Sequence, residues 1–154
     1  MNTKSLIKWS LAAVVFYSSS SYAEQFNFPG HNCSSPTNIY RTNGSVVNTF
    51  TTKTLTYWCP ITSTSSSNRL SSVSIVVKDE TSAGNVSCSL YSYSSTGGSR
   101  LINKKTSTSG KGTYTLTYTG ITGYTNGSYS IACVLPKSSG ATQSAILNYR
   151  VVTN

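Results

Sequence analysis

Four cysteines, one histidine and three carboxylates are all the thiol, imidazole and acid chemistry in the 131 residues from Glu24 onward. A Ser-His-Asp relay needs an imidazole, and the sole candidate, His31, stands two residues before Cys33 in a stretch that also holds Pro29, Gly30 and Pro36. Glycoside hydrolysis needs two carboxyl groups flanking one bond. Asp79 and Glu80 are adjacent, so in an extended chain they face opposite ways, and Glu24 is far from both in sequence. A zinc site fails on spacing: no two cysteines form a CxxC pair, and one histidine leaves a four-ligand set to be drawn from scattered segments. No catalytic residue, metal ligand or cofactor is therefore expected. The chain reads as a non-enzyme, with a hydrolase whose site goes unrecognised as the residual alternative.

Binding chemistry is better represented. Trp58 adjoins Cys59, so a cysteine facing inward on an extended chain turns the indole outward. In NVSCSLYSY, residues 85–93, Val86, Cys88 and Leu90 share the inward side, which turns Tyr91 and Tyr93 to the other. Three outward aromatics make a candidate platform for sugar rings or bases; the alternative is that they are cross-strand pairs that stabilise a sheet. Arg100, Lys104, Lys105 and Lys111 form a basic stretch with no acid between them. It is a candidate contact for carboxylate or phosphate groups, and equally a device that keeps an edge strand from pairing with another chain.

The elements that must position these residues are strands. Apolar residues recur at every second position in TLTYWCPI (54–61), VSIVV (73–77), NVSCSLYSY (85–93), TYTLTYT (113–119), YSIACVL (129–135) and AILNYRVV (145–152). Clusters rich in Gly, Asn, Ser and Thr punctuate these runs, at 42–45, 63–68, 81–85, 95–99, 108–112 and 123–128. Short alternating strands at such intervals predict an all-β domain, an antiparallel β-sandwich of seven or eight strands, immunoglobulin-like or related. Asn43-Gly44 and Asn126-Gly127 supply residues suited to the positive φ of tight turns. The sandwich is predicted over 38–154, with 24–37 an irregular N-terminal arm.

Ser and Thr make up 45 of the 131 residues and Leu, Ile, Val and Phe only 26, a thin apolar supply for a core. Nine tyrosines and the four cysteines supplement it. Cys59, Cys88 and Cys133 each lie on the apolar side of an alternating run, where a thiolate would be disfavoured and a disulfide adds to the core. The predicted pairing is Cys33 with Cys59, tying the arm to its nearest strand, and Cys88 with Cys133, locking two inner strands. Each bridge should contribute about 3–4 kcal/mol by the loop-entropy relation.

Residues 1–23 carry Lys4 and Lys8, an apolar run from Leu11 to Phe16, and the small residues Ser21 and Ala23 at the third and first positions before a cut. That order predicts a secretory signal cleaved after Ala23. The apolar run is far short of the roughly 20 residues that span a bilayer, so no membrane span is expected. The location is secreted or periplasmic, where disulfides persist. From Glu24 onward ten Lys and Arg stand against three acids, a net charge of +7. This field suits an anionic surface or polymer at low salt, or serves solubility alone.

Cys33, Cys59-Pro60-Ile61, Asn85-Val86-Ser87-Cys88-Ser89-Leu90, Cys133-Val134-Leu135-Pro136 and Tyr149-Arg150-Val151 follow one another across the chain from Glu24. In these the sequence resembles a group of small exported bacterial β-proteins with four cysteines. The resemblance implies a disulfide-bonded β-domain and carries no activity with it. The immunoglobulin pattern fits less well: it places Tyr two residues before the second Cys and a Trp in the core, whereas Tyr129 precedes Cys133 by four and Trp58 is predicted to point outward. The expected function is that of an exported, monomeric β-sandwich that binds polysaccharide or another polyanion at a cell surface, with a structural or protein-interaction role as the alternative. Nucleic acid is not the expected partner.

Overall fold

The computed structural model describes residues 23–37, 40–62, 69–82, 84–108 and 110–153. The expected signal, up to Tyr22, and the serine-rich turn expected at 63–68 lie outside the described residues. Ten strands run through the described part: β1 (Gln25–Pro29), β2 (Tyr40–Thr42), β3 (Ser45–Val47), β4 (Leu55–Ile61), β5 (Leu70–Asp79), β6 (Ser87–Tyr93), β7 (Ser99–Thr106), β8 (Gly112–Thr119), β9 (Ser128–Leu135) and β10 (Ala145–Thr153). Among the described residues no helix is long and apolar enough to cross a membrane.

All pairings are antiparallel, and they are nested: β6 pairs with β7, β5 with β8, β4 with β9, and β3 with β10. One sheet therefore runs β3-β10-β5-β8 and the other β4-β9-β6-β7. A ribbon folded back on itself in this way and wrapped into two sheets is a jelly roll. The eight strands β3 to β10 are the predicted sandwich; within that class the order is that of a jelly roll, not of an immunoglobulin domain. β2 extends the first sheet beyond β3, and β1 pairs with β10 from Asn148 to Val152, beyond the two residues that β3 takes.

Period-two alternation builds the core as expected. Leu55, Tyr57, Cys59 and Ile61 of β4 face Val73, Ile75 and Val77 of β5 across the sandwich in one apolar cluster that also takes in Leu90, Ile131 and Tyr149. Three buried tyrosines reach from one sheet to a carbonyl associated with the other. Tyr57 donates to Val47 O at 2.8 Å, Tyr118 to Cys88 O at 2.7 Å and Tyr149 to Pro60 O at 2.7 Å. Each hydroxyl finds an acceptor, so large rings fill a core short of aliphatic residues without leaving a buried donor unpaired. Burial raises the Tyr57 phenol above its usual range, pushes that of Tyr149 up to about 12, and raises that of Tyr118 strongly.

Both predicted disulfides are present, Cys33–Cys59 and Cys88–Cys133. Cys88 and Cys133 are directly opposed on β6 and β9, so this bridge staples neighbours within one sheet. The segment predicted as an irregular arm is more ordered than its Pro and Gly content implies. β1 supplies Phe28, whose ring stacks on Tyr149 at 4.9 Å, and after a single 3-10 turn at Gly30–Asn32 the backbone of Ser34 exchanges hydrogen bonds of 2.8 and 2.7 Å with Trp58. Tertiary pairing with β10 and β4 overrides the local turn signals here.

Asp79 and Glu80 separate as their adjacency requires. Asp79 is buried and accepts from Ser107 Oγ at 2.6 Å, Val86 N at 3.1 Å and Ser144 Oγ at 3.2 Å, tying the end of β5 to the segments that lead into β6, out of β7 and into β10. Glu80 pairs with Lys78 at 3.1 Å on the outside. Asn43 and Gly44 take φ of 45° and 82° in the two-residue turn between β2 and β3. Of the second pair only Asn126 has a positive φ, 56°; Gly127 is required because a Cβ there would lie 2.6 Å from Tyr93 O.

Candidate functional site

The outer face of the β4-β9-β6-β7 sheet carries the three aromatics. Strand register sets two transverse rows on that face, Trp58–Ala132–Ser89–Lys104 and Pro60–Ser130–Tyr91–Leu101. The Trp58 and Tyr91 ring centroids are 5.8 Å apart at an interplanar angle of 42°, and those of Tyr91 and Tyr93 are 6.3 Å apart at 33°. Trp58, Tyr91 and Tyr93 thus form one continuous shelf, running obliquely from β4 to β6.

Small residues on β9 make the shelf. Ala132 and Ser130 lie between β4 and β6, and neither is tall enough to part the rings that lean over that strand. Ala132 is only 7% exposed although it belongs to the outer face, as expected of a methyl roofed by its neighbours. Ser130 Oγ donates to Tyr93 Oη at 3.3 Å, which steadies the far end. The indole remains 39% exposed, and Leu101, beside Tyr91, is 52% exposed. Val134 adds a further exposed apolar residue on β9.

A bulge explains what lies beyond Tyr91. The register between β6 and β7 shifts between Leu90 and Tyr91, so that Ile102 is passed over: Leu90 opposes Asn103 and Tyr91 opposes Leu101. A bulge reverses the facing of the residues that follow it and sharpens the local twist. Ile102 turns to the core side, Leu101 joins the aromatic face, and Arg100 aligns with the inward Ser92. The Arg100 guanidinium lies over the ring of Tyr124 at 5.0 Å instead.

The predicted basic stretch is therefore divided. Lys104 shares the aromatic face, in the Trp58 row; Lys105 aligns with Cys88 on the opposite side of the strand, and Lys111 precedes β8 in the other sheet. Alternation alone separates Lys104 from Lys105, but it cannot foresee that the extra residue in β7 turns Arg100 away from the side that Lys104 takes. All three carboxylates lie outside the strands of the β4-β9-β6-β7 sheet. The aromatic face thus presents rings, methyls, hydroxyls and one lysine, a surface that stacks and hydrogen-bonds. Among the described residues no three His, Cys, Asp or Glu side chains group as metal ligands do, and His31 is exposed near the Asn43-Gly44 turn.

The residues that sequence reasoning missed here are Ala132, Ser130 and Leu101. A small residue in an alternating run carries no signal of its own; only the register shows that Ala132 and Ser130 stand between the rings.

Neither a family model nor a curated protein sequence matches the chain. Solved structures do share its fold. A low-affinity xylan-binding module of carbohydrate-binding family 86, from the gut symbiont Roseburia intestinalis, superposes with a TM-score of 0.56 at 11% identity, covering 85% of this chain and 96% of that one. A family 29 carbohydrate-binding module gives 0.50 at 14% identity, over 87% and 91%. At such identities the likeness concerns the fold, an all-β sandwich of two antiparallel sheets.

Proposed function

We propose that this protein is an exported, non-enzymatic carbohydrate-binding domain that holds a glycan chain on the Trp58–Tyr91–Tyr93 shelf. The observation that carries the reading is the convergence of those three rings, from two strands, on an exposed face free of carboxylates. Aromatic faces stack on the C–H faces of sugar rings, while Ser89, Ser130 and the tyrosine hydroxyls offer donors and acceptors for sugar hydroxyls alongside. The fold supports the reading too, since the two modules named above bind carbohydrate on domains of the same architecture. Paired cysteines suit the oxidising compartment that extracellular polysaccharide occupies.

The ring geometry narrows the glycan. Interplanar angles of 42° and 33° mean that no two neighbouring rings share a plane. Such a shelf follows a single chain whose successive sugars are turned relative to one another, and it fits a flat crystalline surface poorly. The exposed Leu101 and Val134 beside it favour a second reading, that a protein partner packs there.

Retention on immobilised xylan and other neutral glycans, measured across a salt series, separates the two. A stacking site holds its glycan as salt rises and loses it in Trp58→Ala. Binding that vanishes steeply with salt points to lysines and arginines instead, and absence of retention on every glycan removes the reading in favour of a protein partner.

A further inference from the structure

The opposite face of the sandwich is built of different chemistry. On the outer side of the β3-β10-β5-β8 sheet, extended by β1, register sets Asn27, Arg150, Ser74 and Thr117 in one transverse row, with Asn148 and Thr115 in the next. These six residues, with Ser72 and with Val76 between Asn148 and Thr115, line a shallow groove of about 340 Å³. Thr115, Thr117, Asn148 and Arg150 are exposed. Among the described residues Arg150 forms no ion pair; Lys78 and Glu80 pair elsewhere.

We infer that this groove is a second binding site, for a carboxylate-bearing sugar such as a uronic acid residue of a polysaccharide. A guanidinium presents a planar fork of donors that matches a carboxylate in two parallel hydrogen bonds. Here it stands at the centre of a row whose other members are uncharged amides and hydroxyls, the complement of a monosaccharide with one negative charge and several hydroxyls. A polyphosphate chain would call for a line of cations, which this row lacks. The alternation of β8 and β5 supplies the arrangement: Leu116 and Tyr118, Ile75 and Val73 go to the core, and Ser72, Ser74, Thr115 and Thr117 go outward with Val76 among them. The site lies on the other sheet from the aromatic shelf, so it stands or falls independently of that shelf.

Affinity electrophoresis in gels containing polygalacturonate, at about 0.15 M salt where long-range attraction is screened, tests the assignment. Fully methyl-esterified polymer serves as the uncharged control. The full chain, Arg150→Gln, Trp58→Ala and Lys137→Gln are compared, the last removing the same charge at an exposed position away from the groove. The expected result is retardation by polygalacturonate and not by the ester, an affinity loss of roughly tenfold or more in Arg150→Gln, and little change in Trp58→Ala or Lys137→Gln. Absence of retardation, or unchanged retardation in Arg150→Gln, overturns the inference. Equal losses in Arg150→Gln and Lys137→Gln would mean net charge alone is responsible, and loss in Trp58→Ala would place the polymer on the other face; either result overturns it as well.

Discussion

The rings of Trp58 and Tyr91 approach to 5.8 Å although strand β9 runs between their own strands. Ala132 and Ser130 permit that approach, so the shelf depends on residues that contribute almost no contact surface themselves. A branched side chain at position 132 would push between the rings. Ala132→Leu should weaken glycan retention by roughly tenfold, alter the near-UV circular dichroism of the aromatics, and leave the melting temperature within a few degrees of the parent. An unchanged near-UV spectrum would mean that the rings do not lean over β9.

The disulfides substitute for missing aliphatic core. Cys88 and Cys133 close a loop with a sequence separation of 45, for which the loop-entropy relation gives about 4 kcal/mol. Replacing both by serine should lower the melting temperature by roughly 10–20 °C, whereas the denatured, unreduced parent should show no titratable thiol. A thiol signal in the parent would contradict the pairing.

Alkaline pH should unfold the domain through its tyrosines. Tyr57, Tyr118 and Tyr149 have phenol pKa values raised by burial in the folded state, that of Tyr149 to about 12. The unfolded chain ionises near 10, so above that pH it binds fewer protons than the native state and stability falls. The stabilisation is complete below pH 10 and is lost as pH climbs through the folded-state values. Urea midpoints should therefore stay level from neutrality to about pH 9 and then drop. Tyr118→Phe should shallow that drop and cost about 1 kcal/mol at pH 7, because Cys88 O loses its donor. A midpoint that does not fall above pH 10 would contradict the account.

Asp79 is a structural carboxylate that holds three segments together. Asp79→Ala removes the acceptor shared by Val86 N, Ser107 Oγ and Ser144 Oγ, and a destabilisation of about 3 kcal/mol or more is expected in urea denaturation. Glu80→Gln, which affects the partly exposed pair with Lys78, should change stability by less than about 1 kcal/mol. Comparable losses from the two substitutions would contradict the assignment.

The parts of this molecule that were legible from sequence are those governed by period two. Leu55, Tyr57, Cys59 and Ile61 announce a buried side, and the outward placement of Trp58, Tyr91 and Tyr93 follows from it. Cys59, Cys88 and Cys133 followed because they sit on those same apolar sides. Two kinds of feature were hidden. Strand order is a matter of long-range pairing, so nothing in the alternation distinguishes a jelly roll from an immunoglobulin order, or shows that Gln25–Pro29 lies along β10. The facing of Arg100 was hidden as well, because the bulge at Ile102 arises from pairing with β6 and SRLINKKT holds no Gly or Pro to mark it.

The chain from Glu24 onward contains one tryptophan, Trp58, so its emission reports on the shelf without interference. Titration of that chain with xylan oligosaccharides, followed by tryptophan fluorescence, is predicted to give a saturable change in intensity and a shift to shorter wavelength as the sugar displaces water from the indole, both abolished in Tyr91→Ala. Emission that stays at the wavelength of a hydrated indole through saturating concentrations of every neutral glycan tried would contradict the claim that this face binds carbohydrate.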